Sequence, residues 1–340
     1  MTELRSPSPA TSGKADAAHP RIWVLDDPRP GTSAQALGIA ERLGEPFRRI
    51  PLIWNWKTHF SGLIPGGSLM GLGEPGITAT DLAHPPELVI SAGRRSAAVA
   101  LWMKAHTGCR IVHCMSPGVA GLLWRSEFDL LVLPAHDHAA AAPNVFTILG
   151  APHRMSPAAL AAARETWDER LAHLPHPRVA LLVGGPPRST NMAPALAHQI
   201  GQRIARLVAV TGGSIMATTS RRTGREATEA LAAGLGPCLH VLYRWGEPGK
   251  NPYRGFLATA DVIVITADSV SMISEACATS AAVYVALPEL ASRRQQRLAK
   301  SLFDAGQARP FNKSIVPWQR PTMDEADRVA AEIRRRFGLG

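Results

Sequence analysis

The sequence predicts an α/β protein built of two Rossmann-like, doubly wound domains. Three observations lead there. Short β-branched runs of the kind that fully buried parallel strands need recur along the chain, as in 261–266 with Val262, Ile263, Val264 and Ile265. Segments with helical spacing lie between these runs, so strands and helices alternate instead of clustering. A Pro-rich joint at 174–178, Leu-Pro-His-Pro-Arg, separates two such series, each of roughly 150 residues. The expected layout is a lead-in at 1–20, an N-terminal domain at 21–173, a hinge at 174–178, a C-terminal domain at 179–320 and a final helical segment at 321–340.

Composition bounds the function. At 340 residues with 46% hydrophobic and 19% charged side chains, the chain is globular and long enough for two cores. No run approaches the ~18 consecutive apolar residues of a membrane span. Residues 1–20, rich in Ser, Pro, Ala and Thr, read as a disordered lead-in and not as a signal peptide. The four cysteines (Cys109, Cys114, Cys238, Cys277) show no CxxC spacing and read as reduced, buried thiols of a cytoplasmic protein. A net charge of +10 calls for an anionic partner. The basic residues come as scattered pairs, with no base-reading helix, zinc-finger spacing or aromatic RNP-type strand, so no nucleic-acid partner is expected.

In the first series, strands are expected at 21–25, 47–53, 87–91, 110–114, 129–133 and 145–149. Thr32 or Ser33 is expected to cap the first helix, with Gly44 at its C′ position. The glycine-rich segment 54–81 is too long for an ordinary connection. Trp54, Trp56 and Phe60, with Lys57 and Arg48-Arg49, suit either a membrane interface or a buried core, the core being favoured. A helix follows Gly93-Arg94-Arg95, and another starts at Ser156-Pro157. The second series places strands at 179–183, 215–219, 239–243, 261–266 and 282–287. Its first helix carries Leu196, Ile200, Ile204 and Leu207 on one stripe. A last helix at 323–337 is a candidate to cross back onto the first domain.

Ligands of open α/β sheets bind beyond the C-terminal ends of the strands. In the second domain those ends are Gly184 to Thr190, Thr218 to Thr223 and Ala267 to Ser271. Three Gly/Ser/Thr loops entering helices, two with arginine, make a cradle of N–H, hydroxyl and guanidinium donors for phosphate. Ser271 and Glu275 share one helix face, so the helix start suits a pyrophosphate and the carboxylate one turn deeper suits ribose hydroxyls. No P-loop, GxGxxG, GxSxG or HExxH occurs, and no metal site is evident. In the first domain, His136-Asp137-His138 follows a strand and offers a general base or metal ligands. Asp26 and Asp27, after the first strand, are similar candidates. Gly31, Arg94 and Arg95 join them on the expected acceptor side.

The segments QALGIAERLG (35–44), LVISAGRRSAAVALWMK (88–104), VALLVGG (179–185), TTSRRT (218–223), NPYRGFLATAD (251–261) and TADSVSMISEACAT (266–279) together resemble the mitochondrial fission "elongated mitochondria" family. That resemblance runs from about residue 21 to 311. It implies a GT-B-like fold with the two domains facing across a cleft, because the family's bacterial members are read as GT-B glycosyltransferases. A plant member is an adaptor for a dynamin-related protein at the mitochondrial surface. More distantly, the second domain is similar to the nucleotide-sugar domain of MurG-like transferases. By that similarity Gly184, Gly185 and Ser189 approach the donor diphosphate, Ser269 and Ser271 bind phosphate oxygens, and Glu275 binds the ribose. The first loop departs from the family's D-G-x-x-G-type segment: Pro28 and Pro30 stiffen it and remove N–H donors.

The expectation is a cytoplasmic, metal-independent glycosyltransferase without a cofactor, at most peripheral on the inner face of the cell membrane. Its donor is a nucleoside-diphosphate sugar, UDP-type favoured, and its acceptor an envelope lipid or saccharide. Ser220, Arg221 and Arg222 with the helix starts offset charge on the leaving diphosphate. Asp137 or His136 deprotonates the acceptor. The alternative is a non-catalytic adaptor on the same fold, recruiting a dynamin-like or envelope protein at an anionic membrane.

Overall fold

The computed structural model describes residues 20–338 except 59–63, 65, 75, 138–139, 187–190, 288–290 and 313, and leaves aside the side chains at 79, 80, 119 and 120. The lead-in, Phe60, His138 and Ser189 therefore lie outside the described residues. Two six-stranded sheets organise the chain, as the alternating pattern predicts. The first has the order β2-β1-β3-β4-β5-β6, with β1 (Ile22–Asp26), β2 (Phe47–Pro51), β3 (Leu88–Ala92), β4 (Arg110–Cys114), β5 (Leu130–Pro134) and β6 (Val145–Ile148). The second runs β12-β11-β10-β7-β8-β9, with β7 (Arg178–Val183), β8 (Ser214–Thr219), β9 (His240–Tyr243), β10 (Val262–Thr266), β11 (Ala282–Ala286) and β12 (Arg309–Pro310). Every strand pair with a described register is parallel.

Parallel sheets must be covered on both faces, and that is why their central strands are apolar throughout. All five residues of β3, β10 and β11 are buried, as are all six of β7 and β8. Each such Val, Ile or Leu contributes about 1.5–3 kcal/mol by leaving water. In each sheet the strand order reverses once. The chain steps from β1 outward to β2 and returns to β3 on the other side of β1. It steps from β7 through β8 to β9 and returns to β10 on the other side of β7. These two reversals are the switch points at which doubly wound sheets open a crevice.

Contacts divide the chain into two compact units, Met1–Ala36 with Leu43–Leu131 and Leu37–Arg42 with Val132–Leu339. The helix α1 (Pro30–Leu43), whose residues 37–42 count with the second unit, begins with a proline at its first position and an Arg29 cap that makes no side-chain bond. Thr32 and Ser33, expected as caps, instead lie inside the first turn, because Pro30 already has the helical φ and needs no N–H partner. Gly44 ends the helix at φ +76°, as expected. The glycine-rich stretch holds a bridge between Trp54 and Leu72, and a Thr78–Asp81 capping box that starts the short α2 (Ala79–Ala83). After β3 comes α3 (Arg94–Thr107), and after β4 comes α4 (Gly118–Leu123), a helix absent from the sequence reading. Trp56 is 70% exposed, contrary to the expected buried core; Trp54 is half-buried.

The second unit contains α5 (Pro157–Trp167), capped by Ser156 as predicted, α6 (Pro194–Thr211), α7 (Arg225–Leu235), α8 (Tyr253–Thr259), α9 (Val270–Cys277), α10 (Arg293–Asp304) and α11 (Glu325–Phe337). The buried stripe of α6 is Ala197, Ile200, Gly201, Ile204 and Val208, while Leu196 and Leu207 are only partly covered. Small residues replace large ones there because α7 comes close. A Cβ on Gly201 would press on the Leu231 carbonyl, and one on Gly234 would collide with that of His198.

Arg320 ties down the end of α9 by donating to the carbonyls of Ala276, Cys277, Thr279 and Ala281. The last helix starts at Glu325, capped by Asp324, and Glu325 accepts the Leu149 N–H at 3.1 Å. Asp324 also receives Arg42 at 2.8 Å, and Arg336 donates to the Pro143 carbonyl at 2.7 Å. Thus α11 packs with stretches that the sequence reading placed in the N-terminal domain, all within one unit. Cys109, Cys114 and Cys277 are buried and Cys238 half-buried, and none of the four is in a disulfide. Among the described residues no helix is long and apolar enough to cross a membrane.

Candidate functional site

The loops after β7, β8 and β10 form one hydrogen-bonded cluster at the second switch point. Gly184 N–H donates to Thr266 Oγ1 and Gly185 N–H to Asp268 Oδ2, both at 2.8 Å. Thr223, fully buried, donates to the carbonyls of Val183 at 2.9 Å and Gly184 at 2.6 Å. Its Oγ1 in turn accepts from Ser220 N–H, and Ser220 Oγ accepts from Arg222 N–H. Arg222 Nη2 reaches Asp268 Oδ2 at 3.2 Å. The packing is close at two points: a Cβ on Gly184 would overlap the Asp268 carboxylate, and one on Gly185 the Arg222 carbonyl. Three loops that each look ordinary in sequence are therefore locked together where the fold opens.

A cavity of about 490 Å³ lies beside this cluster, lined by Ser220, Arg221, Gly224, Arg244, Trp245 and Glu247 among others. Arg221 is exposed, and Trp245 presents more than half of its surface to solvent. Arg244 is fixed by Glu229 and Glu247, and Trp245 N–H by Thr219 Oγ1. A flat ring with charged and backbone groups around it can hold a planar heterocycle.

The helix α9 opens with Ser269, whose hydroxyl accepts the Met272 N–H and so acts as cap. Its O–H stays available as a donor. Ser271 follows in the first turn and is partly exposed. One turn on, Glu275 accepts a 2.5 Å bond from Tyr253 Oη. Burial raises the Glu275 carboxyl to about 7, with the Tyr253 bond and the Arg254 charge acting against it. Burial and the neighbouring Glu275 charge push the Tyr253 hydroxyl well up. Burial also raises Asp268, against its bonds to Thr266 and Gly185 and the charge of Arg222.

The first-domain candidates are placed differently. Asp137 is gripped by Arg294 through two 2.7 Å bonds, and the side chain of His136 is fully buried, with its carbonyl taken by Arg297. A carboxylate held on both oxygens and an imidazole sealed from solvent are poorly placed to take a proton from an acceptor. Asp26 accepts from Ser33 Oγ at 2.5 Å and pairs with Arg49. Asp27, almost fully buried, accepts from Arg29 N–H, Trp54 Nε1 and Arg95 Nη2 at 2.9 Å each. The Arg95 guanidinium also lies over the Trp54 ring. Gly31 is an ordinary first-turn residue of α1, and Arg94 is exposed and packs along Gly118.

The structure thus brings Gly184, Gly185, Ser220 and Arg222 together and leaves Asp26, Asp27 and Arg95 locked in a separate closure. Sequence reading missed Thr223, Asp268 and Tyr253. Asp268 and Thr223 lie in loops read as phosphate donors, where neither was singled out, and Tyr253 lies in the segment 251–261, quoted only for its family resemblance.

Two parallel Rossmann-like sheets, each with one reversal, define a fold of the GT-B class. UDP-GlcNAc 2-epimerase from Methanocaldococcus jannaschii shares it, with a TM-score of 0.54 at 14% identity over 94% of this chain and 99% of that one. MurG from Acinetobacter baumannii superposes at 0.48 with 14% identity, over 94% of this chain and 92% of that one. The chain itself belongs to the mitochondrial fission ELM1 family, whose pattern it matches over residues 30–337. It is 30% identical to mitochondrial fission protein ELM1 of Arabidopsis thaliana over 235 residues, which are 62% of this chain but only 55% of that protein. An uncharacterized protein of Rickettsia prowazekii is 23% identical over 92% of this chain and 97% of its own length.

Proposed function

We propose that the second unit binds a nucleoside-diphosphate sugar, UDP-type favoured, and that the protein transfers the sugar to an envelope lipid or saccharide. The observation that carries this reading is the locked cluster of Gly184, Gly185, Ser220, Arg222 and Asp268 at the switch point. Backbone N–H groups and a guanidinium there suit a diphosphate, the capped start of α9 adds Ser269 and Ser271, and the cavity at Trp245 suits the base. Glu275 then takes the ribose, with Tyr253 holding one of its oxygens. As catalyst, the chain supplies positive charge and helix N-terminal dipoles to the departing diphosphate.

Titration calorimetry with UDP, GDP, ADP, CMP and UDP-sugars, repeated on Glu275→Ala, tests the reading. Micromolar binding of one nucleotide, lost in the variant, is the expected result; no binding to any of them by folded protein would overturn it.

A second reading, the non-catalytic adaptor, is favoured by one observation among the described residues: the candidate bases Asp137, His136, Asp26 and Asp27 are all engaged or sealed. An adaptor tolerates Glu275→Ala in its cellular role, whereas a transferase does not. Peripheral contact with an anionic membrane is proposed for the first unit, where Trp56 and Leu123 are 70% and 76% exposed and Lys57 and Arg94 supply charge. Co-sedimentation with phosphatidylglycerol vesicles, lost in Trp56→Ser with Leu123→Ser, checks it.

A further inference from the structure

Asp268 is an anion built into the place where a phosphate would bind. Its Oδ2 already holds the Gly185 N–H at 2.8 Å and Arg222 Nη2 at 3.2 Å, the groups a strand-end phosphate site uses. The fit is close, since a Cβ on Gly184 would overlap this carboxylate. The turn is fixed from behind as well, because Gln295 Nε2 donates to the Asp268 carbonyl at 2.5 Å and Gln295 belongs to the Ser292 capping box of α10. Two donors of the cluster, the Gly185 N–H and Arg222 Nη2, are thus occupied by the chain's own carboxylate.

Resting on the nucleotide reading above, we propose that Asp268 is a resident competitor that a diphosphate must displace from Gly185 and Arg222, and that it sets the anion selectivity of the site. An incoming singly charged group gains little by exchanging with a carboxylate of equal charge. A diphosphate brings more charge and more acceptor oxygens, so it is the ligand that wins the exchange. The carboxylate also keeps Arg222 oriented and the loops closed when no ligand is present. Asp268 is in this sense a specificity residue, acting through the donors it holds.

The test is titration of inorganic pyrophosphate, inorganic phosphate and UDP into the full chain and into Asp268→Asn, at constant ionic strength. Removing the charge is expected to tighten pyrophosphate by about tenfold or more and to tighten phosphate further, narrowing the ratio between them. Asp268→Ser serves the same purpose if the asparagine variant does not fold, as judged by circular dichroism. Unchanged or weaker pyrophosphate binding in the variants, or none in any form, would overturn the proposal and make Asp268 a support of the loops. The two readings separate cleanly. Tighter pyrophosphate with UDP no better than pyrophosphate keeps the competitor and sinks the nucleotide site. UDP binding that falls with the variants does the reverse.

Discussion

The two switch points solve the same problem in opposite ways. At the first, between β1 and β3, the crevice is closed by large side chains. Asp27 from one loop takes Arg95 from the other, with Trp54 donating to the same carboxylate and stacking under the guanidinium. At the second, between β7 and β10, the crossing contacts are between backbone and short side chains: Gly184 to Thr266 and Gly185 to Asp268. The first closure is made by large side chains, whereas in the second the backbone N–H groups of Gly184 and Gly185 are held by the short side chains of Thr266 and Asp268. The proposed nucleotide site lies at the second of these closures, away from the first-loop prolines Pro28 and Pro30.

The largest effect expected is on the first closure. Asp27→Ala leaves Arg95 partly buried without its carboxylate and costs about 3–5 kcal/mol. Urea unfolding reads the loss, and UDP binding by the folded fraction is expected to stay as it was. Should UDP binding disappear instead, the two crevices would not be functionally separate.

Next comes an opposition in pH response. Glu275 is raised from 4.5 to about 7, so the folded chain binds the extra proton between those values and loses stability as pH rises through them. Glu275→Gln removes that loss and is expected to gain up to about 3 kcal/mol on the wild type between pH 4 and pH 8. His113, fully buried on β4 and bonded to Ser91, is depressed by burial from 6.5 to about 3. It stays neutral in the fold, so stability falls as pH drops below 6.5, by about 2 kcal/mol at pH 5. His113→Gln flattens this acid slope. Thermal unfolding across pH 4–8 checks both signs, and a shared sign would contradict the assignments.

Between these in size is a backbone test. Gly185→Ala sets a Cβ against the Arg222 carbonyl, displaces the loop that carries Arg222, and is expected to weaken UDP about 100-fold, a loss of about 2.7 kcal/mol. Gly31→Ala, in the first turn of α1, is expected to leave binding unchanged, as calorimetry of the two variants side by side would show.

Much of this was legible in the sequence where burial is continuous. Runs such as 262–266 and 179–183 can only be central parallel strands, and the Ser156 cap and the glycines at 44 and 108 mark helix ends by local chemistry alone. What was hidden depends on contacts far apart in the chain. The two-residue β12 is a strand only because β11 lies beside it, and α4 has neither cap nor period to announce it. Leu207 looked like core until the close approach of α7 favoured Gly201 and Val208. The site followed the same rule. Gly184, Gly185 and Ser220 were visible as strand-end residues, but that Asp268 joins them, and that Asp137 is taken by Arg294, are facts about partners 83 and 157 positions away.

The central claim is that nucleotide binds at the second switch point and not at the first. Hydrogen–deuterium exchange with and without UDP tests it most directly. Protection is predicted at the amides of 184, 185, 220–224 and 267–271, with none at 27–33. Protection at 27–33, or no change at the second set while UDP is bound, would contradict the account.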